Sequence, residues 1–190
     1  MQIFMAAGSR WPAYPSIVGS GDNGCILHYT RNDDVIEDGE LVLIDAGCEL
    51  DYYASDITRT FPSNGRFSEP QRALYQLVLD AQYAAIEATK PGNHWNQPHE
   101  AAVKVLTAGL VELGLLSGEV DELIESLAYR QFYMHKTGHW LGMDVHDVGE
   151  YRVDGEWRTL APGMVLTIEP GIYVAPDDES VDEKWRGIGI

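Results

Sequence analysis

The chain has 190 residues, 45% of them apolar, which is enough for one domain with a substantial core and too few for two ordinary ones. Its net charge of −17, from 13 Lys and Arg against 30 Asp and Glu, disfavours free nucleic acid as a partner, because phosphate binding needs a cationic surface. No apolar run reaches the length of a membrane span, and residues 1–10 lack the basic-then-apolar pattern of a signal peptide.

Residues 16–62 read as strands. Ile26-Leu27-His28-Tyr29 and Leu41-Val42-Leu43-Ile44-Asp45 are short apolar runs bounded by turn residues. Ile57-Thr58-Arg59-Thr60-Phe61 alternates and ends at Pro62, and Gly19-Ser20-Gly21-Asp22-Asn23-Gly24 reads as a loop. Cys25 and Cys48 have no metal-site spacing, so buried free thiols in a cytoplasmic protein are expected.

Residues 68–128 read as helices. Ser68-Glu69-Pro70-Gln71 is a capping-box pattern, after which Leu74, Leu77, Val78, Ala81, Ala85 and Ala88 recur at helical spacing until Pro91-Gly92. A second helix fits 98–113, with Ala102, Val105, Leu106, Gly109 and Leu113 on one stripe and Gly114 beyond its end. A third uses Val120, Leu123, Ile124 and Leu127.

From about residue 132 the pattern returns to strands and loops, with a strand expected over 164–169. Strands, then helices, then strands predict an α+β fold with helices on one face of a mostly antiparallel sheet.

Several residues in this frame could carry chemistry. Asp45 and Asp56 interrupt otherwise apolar strands, and buried carboxylates are costly unless paired or bound to a cation. A hairpin turn centred between Leu50 and Asp51 would set position 45 opposite 56, with Cβ atoms about 4.5–5.5 Å apart. One carboxyl would then take a proton, or a cation would sit between them; the alternative is a pair of exposed strand-end aspartates. His28, His135, His139 and His146 are four of the chain's six histidines. His135 and His139 have helical spacing, but Gly138 and Gly142 argue against a helix and for backbone that approaches something closely. Glu169 falls at a strand end, before Pro170-Gly171. Carboxylates with an imidazole suit hard or borderline divalent ions such as Mn²⁺, and a pair of such ions can activate water and polarise a carbonyl. The reaction class that follows is metal-assisted amide hydrolysis.

These motifs resemble the pita-bread metallopeptidases. Ile44-Asp45-Ala46-Gly47, Ser55-Asp56-Ile57-Thr58-Arg59-Thr60-Phe61-Pro62, Gly138-His139-Trp140-Leu141-Gly142 with Asp144-Val145-His146-Asp147, and Val165-Leu166-Thr167-Ile168-Glu169-Pro170-Gly171 carry the resemblance. The run from Gly19 to Tyr29 looks most like the Xaa-Pro aminopeptidase (aminopeptidase P) family. The resemblance implies a single, partial catalytic domain and a two-Mn²⁺ site. Asp45 would be exclusive to one metal, Asp56 would bridge, and His139 and Glu169 would hold the other, with Glu169 also near the attacking water. His28, His135 and His146 would bind substrate and handle protons. The implied substrates are peptides with proline second, with no nucleic acid or membrane partner, and homo-oligomers are compatible with it. A prolidase-type dipeptidase shares every metal motif, and a non-catalytic fragment that keeps the fold is the reading from another class. Methionine aminopeptidase fits the 139–146 stretch less well.

Two departures are visible. Residues 1–10 do not resemble the family, whose N-terminal domain and opening helix pair have no counterpart here. The family's fifth ligand, a bridging Glu, follows Arg-Gly-Ile-Gly-Ile, and this chain ends on Arg186-Gly187-Ile188-Gly189-Ile190. The 190 residues by themselves are therefore expected to hold at most about one Mn²⁺ tightly, since fewer ligands bind more weakly, and to hydrolyse Xaa-Pro peptides poorly. Elemental analysis checks this; two tightly held metals per 190-residue chain would contradict it.

Overall fold

Short apolar runs pair into antiparallel ladders in the first third of the chain, and longer amphipathic runs coil into helices after it. The computed structural model, which describes residues 2–190, divides into two units. The first holds residues 2–72, 140–148 and 173–190, the second 73–139 and 149–172.

In the first unit, α1 (Gln2–Ala6) and β1 (Trp11–Pro12) lead into β2 (Ile17–Ser20), β3 (Leu41–Asp45), β4 (Cys48–Leu50), β5 (Tyr53–Ala54) and β6 (Thr58–Pro62). One sheet has the order β2-β3-β6 and another β1-β4-β5, and all these pairings are antiparallel. β3 is central, which is why Leu41, Val42 and Leu43 are all buried, and Leu43 joins Ile17 and Tyr29 in a core cluster.

Two expectations fail here. Gly19 and Ser20 belong to β2, and a 3₁₀ turn, Gly21–Cys25, follows at once. The Ile26 N–H closes that turn on the Asn23 carbonyl. Residues 26–29 then form a turn rather than a strand, with Ile26 and Leu27 exposed and only Tyr29 buried. The two thiols are free, as expected, but half-buried. Burial pushes the Cys25 thiol up to about 12, which makes it a poor nucleophile.

In the second unit the helical stripes hold. α2 (Glu69–Ala88), whose first turn belongs to the first unit, opens with the reciprocal capping box. The Gln71 N–H donates to Ser68 Oγ at 3.4 Å, and the Ser68 N–H to Gln71 Oε1 at 2.9 Å. Leu74, Val78, Ala81 and Ala85 form its buried edge. α3 (Gln97–Glu112) buries Ala102, Val103, Leu106 and Leu110, a stripe turned slightly from the expected one, and the Leu77 side chain of α2 lies over Gly109. α4 (Val120–Glu125) is shorter than expected and buries nothing, because Leu127 turns left-handed (φ 61°) and stops it.

The expected strand over 164–169 is extended chain without a full ladder. The Met164 N–H is used in a turn with Ala161, and Pro170 has no N–H. Two pairing bonds remain: the Thr167 N–H to the His139 carbonyl (3.0 Å) and the Glu169 N–H to the Thr137 carbonyl (2.7 Å).

His99, in the first turn of α3, is buried. Burial, with smaller repulsion from Lys136, His135 and Arg130, pushes its imidazole down to about 4. The unfolded chain binds a proton there that the folded chain does not, so His99's contribution is complete above the ordinary imidazole pKa of about 6.5 and is lost as pH falls towards 4. Urea unfolding of the parent and of His99→Asn should therefore show a stability difference that shrinks between about pH 7 and about pH 4.5. A difference that stays constant across that range contradicts the assignment.

Candidate metal centre

Asp45 closes β3, and Asp56 lies just ahead of β6. The turn at Asp51-Tyr52 decides how they relate. Both residues have positive φ (50° and 72°), as in the two-residue turns whose twist matches a hairpin. Leu50 pairs with Tyr53, Glu49 with Ala54 and, farther out, Asp45 with Thr58. The expected opposition of 45 and 56 is thus off by two residues, because the turn is centred one residue later than supposed. A shift of two keeps the face, so the aspartates become diagonal neighbours, roughly 7–8 Å apart at the backbone.

Tyr14 fills that space. Its phenol donates to Asp45 Oδ1 and, at 3.0 Å, to Asp56 Oδ1. A phenol has one proton, so the two carboxylates share it. Burial, followed by the bond to Asp45 and the charges of both aspartates, raises the Tyr14 pKa far above its ordinary value and keeps that proton in place.

In the second unit, His139 and Glu169 come together. His139 Nε2 lies 3.1 Å from Glu169 Oε1, and that carboxylate oxygen also accepts from the Thr167 hydroxyl at 2.6 Å. Thr167 Oγ1 in turn accepts the His139 N–H at 3.0 Å. One hydroxyl therefore orients both the imidazole-bearing backbone and the carboxylate. The close approach expected of the glycines is real. A Cβ on Gly138 would overlap the Thr167 carbonyl, and one on Gly142 the Asp147 carboxylate. No helix forms at 135–139.

His28 is exposed and lines a surface hollow of about 460 Å³ with Tyr29 and Arg31. His146 is exposed in the 140–148 segment. His135 packs edge-on to Tyr133 (centroids 4.9 Å apart), and its Nδ1 donates to the Lys136 carbonyl at 2.8 Å. In the neutral ring that bond leaves Nε2 as the acceptor.

The metallopeptidase family M24 model matches residues 1–190. The chain belongs to this family. The match takes in residues 1–10, contrary to the expectation that they stand outside it. The chain is 59% identical over 182 residues to a Haemophilus influenzae Xaa-Pro aminopeptidase, covering 96% of this chain and 42% of that protein. It is 54% identical over 187 residues to an Escherichia coli Xaa-Pro aminopeptidase, covering 98% and 42%. The structure of Pseudomonas aeruginosa aminopeptidase PepP superposes with a TM-score of 0.97 at 66% identity, covering 98% of this chain and 42% of that one. The expected α+β fold, a partial pita-bread architecture, stands. The chain spans about two fifths of the length of these M24 relatives.

Tyr14 escaped the sequence reading. Its only signal is Pro15, which holds Tyr14 in extended backbone; nothing in the local pattern says that its ring reaches residues 31 and 42 positions away. Tyr14→Phe removes only the hydroxyl. It should destabilise the metal-free protein by about 1.5–3 kcal/mol, the usual worth of a hydrogen bond to a charged group, in urea unfolding at neutral pH. A loss below about 0.5 kcal/mol would show that the phenol proton is not shared in solution.

Proposed function

We propose that the protein is a metal-dependent aminopeptidase that releases the first residue from peptides with proline in second place. One observation carries this reading: a phenol-bridged aspartate pair and a threonine-held His–Glu pair occur in a chain 59% identical to an Xaa-Pro aminopeptidase. The family membership adds that the protein is a metallopeptidase.

The donor set is three carboxylates and one imidazole, Asp45, Asp56, Glu169 and His139. That chemistry fits hard or borderline ions, and Mn²⁺ is our choice. Asp45 and Asp56 of the first unit would serve as ligands to one ion, and His139 and Glu169 of the second unit as ligands to another. When bound, such ions supply an acidified water and a polarised carbonyl.

The protein's own groups do the rest. The Tyr14 hydroxyl donates to both carboxylates and eases their proximity on one face, while their negative charge stays available to a cation. Thr167 aims the Glu169 carboxylate and limits its rotation. His135, with its proton fixed on Nδ1, offers Nε2 as a proton acceptor. His28, exposed at the hollow, and His146 are our candidates for contacts to the peptide. The two free thiols suit a reducing cytoplasm. Among the described residues no helix is long and apolar enough to cross a membrane.

The test is release of the first residue from an Xaa-Pro-Xaa tripeptide by the full-length protein, beside an Xaa-Pro dipeptide. Chelation should abolish the activity and Mn²⁺ restore it. Asp56→Ala should lower kcat/KM by more than about 100-fold, since a direct ligand counts for more than the outer partners whose loss costs about 10–100-fold. Cleavage of the dipeptide alone would make the protein a prolidase-type dipeptidase; cleavage of neither would sink the reading.

A further inference from the structure

Thr137 stands two residues before His139, and its hydroxyl is held from two sides. His99 Nδ1 lies 2.8 Å from Thr137 Oγ1, and the Tyr133 hydroxyl 2.6 Å from the same atom. All three side chains are buried, at 9%, 2% and 0% exposure for His99, Thr137 and Tyr133. The Thr137 carbonyl receives the Glu169 N–H at 2.7 Å.

A core needs no such arrangement. Buried polar groups add little net stability over apolar groups of the same shape, and they cost free energy when left incomplete. Here an imidazole and a phenol both converge on one hydroxyl. Threonine is stiff at χ1, so a side chain held at Oγ1 also holds its own backbone. The residue that follows is Gly138, whose backbone has wide freedom of its own and lies hard against the Thr167 carbonyl. Without an anchor at Thr137, that glycine would let the 137–139 segment drift, and with it the bond to Glu169. His99 is carried on a 16-residue helix, a rigid reference for such an anchor.

We propose that His99 and Tyr133 are positioning residues for His139 and Glu169, acting through the hydroxyl and carbonyl of Thr137. The proposal rests on the reading of His139 and Glu169 as metal ligands. Its chemistry is that of an outer layer of hydrogen bonds that aims metal-binding groups, where loss of a partner costs about 10–100-fold in metal affinity.

The test uses the full-length protein and four variants. Thr137→Val removes the hydroxyl at nearly constant volume, and Tyr133→Phe removes the phenol O–H while keeping the ring. Thr137→Ser keeps the hydroxyl, and His99→Phe removes the ring nitrogen while keeping a ring. The first readout is amide hydrogen exchange at Glu169 in metal-free protein, relative to the buried α3 amide of Leu106. The second is Mn²⁺ affinity by titration. Thr137→Val and Tyr133→Phe should speed Glu169 exchange about tenfold or more relative to Leu106, and weaken Mn²⁺ binding about tenfold. Thr137→Ser should stay within about threefold of the parent in both, and His99→Phe should match Tyr133→Phe. Exchange at Glu169 that rises only in step with Leu106 shows a merely structural role and overturns the proposal. So does damage from Thr137→Ser equal to that from Thr137→Val. If Thr137→Val does not fold, Tyr133→Phe decides. If the parent binds no Mn²⁺, the ligand reading fails, while the metal-free exchange still decides whether His99 and Tyr133 position the segment.

Discussion

Asp45 and Asp56 share one face of a half-buried hairpin, and two carboxylates so placed need a proton or a cation between them. The Tyr14 phenol lies between them and donates to both, with its proton retained on the phenol oxygen. Much of the first unit is arranged around that need. β3 is buried among apolar neighbours and ends on Asp45, so the carboxylate sits where the core gives way to polar surroundings. The left-handed Asp51-Tyr52 turn fixes the register and leaves the aspartates diagonal, with room for a hydroxyl between them. Tyr14 reaches them from the segment after β1, which is itself tied to β4.

The second unit meets a different problem with similar means. A histidine and a glutamate are to be aimed from two stretches of irregular chain, which lack the rigidity of a ladder. Two backbone bonds and one shared hydroxyl, that of Thr167, provide local order. Behind them His99, Thr137 and Tyr133 join that order to α3. Helices make the better scaffold here because their apolar stripes are deeply buried: Leu74, Leu106 and Leu110 have no exposed surface.

The likeness to M24 relatives is high across the whole chain, yet the chain spans only about two fifths of their length. Fold and chemistry therefore stand on different footings. The fold follows from the superposition, while the proposed reaction rests on the site residues, since one fold can host many activities.

Periodicity alone determined α2 and α3, down to the Ser68–Gln71 capping box, because helix signals are local and repeat every turn. It also determined β3 and the close approaches of Gly138 and Gly142, since a long apolar run and a glycine at a crowded point both announce themselves. Among the candidate residues, Asp45 and Asp56 stood out as polar interruptions of apolar runs, His139 by its place between Gly138 and Gly142, and Glu169 by its place at the end of an apolar run. The tertiary structure decided the rest. A single residue's shift in the turn centre moved the register by two, and composition does not reveal left-handed φ at Asp51 and Tyr52. The segment at 164–169 looked like a strand, but a turn before it and a proline after it left only two pairing bonds. Tyr14 and the His99–Thr137–Tyr133 chain were invisible because their partners are distant in sequence. The pattern of residues says which side chains are costly to bury; only the folded chain says which distant hydroxyl meets the cost.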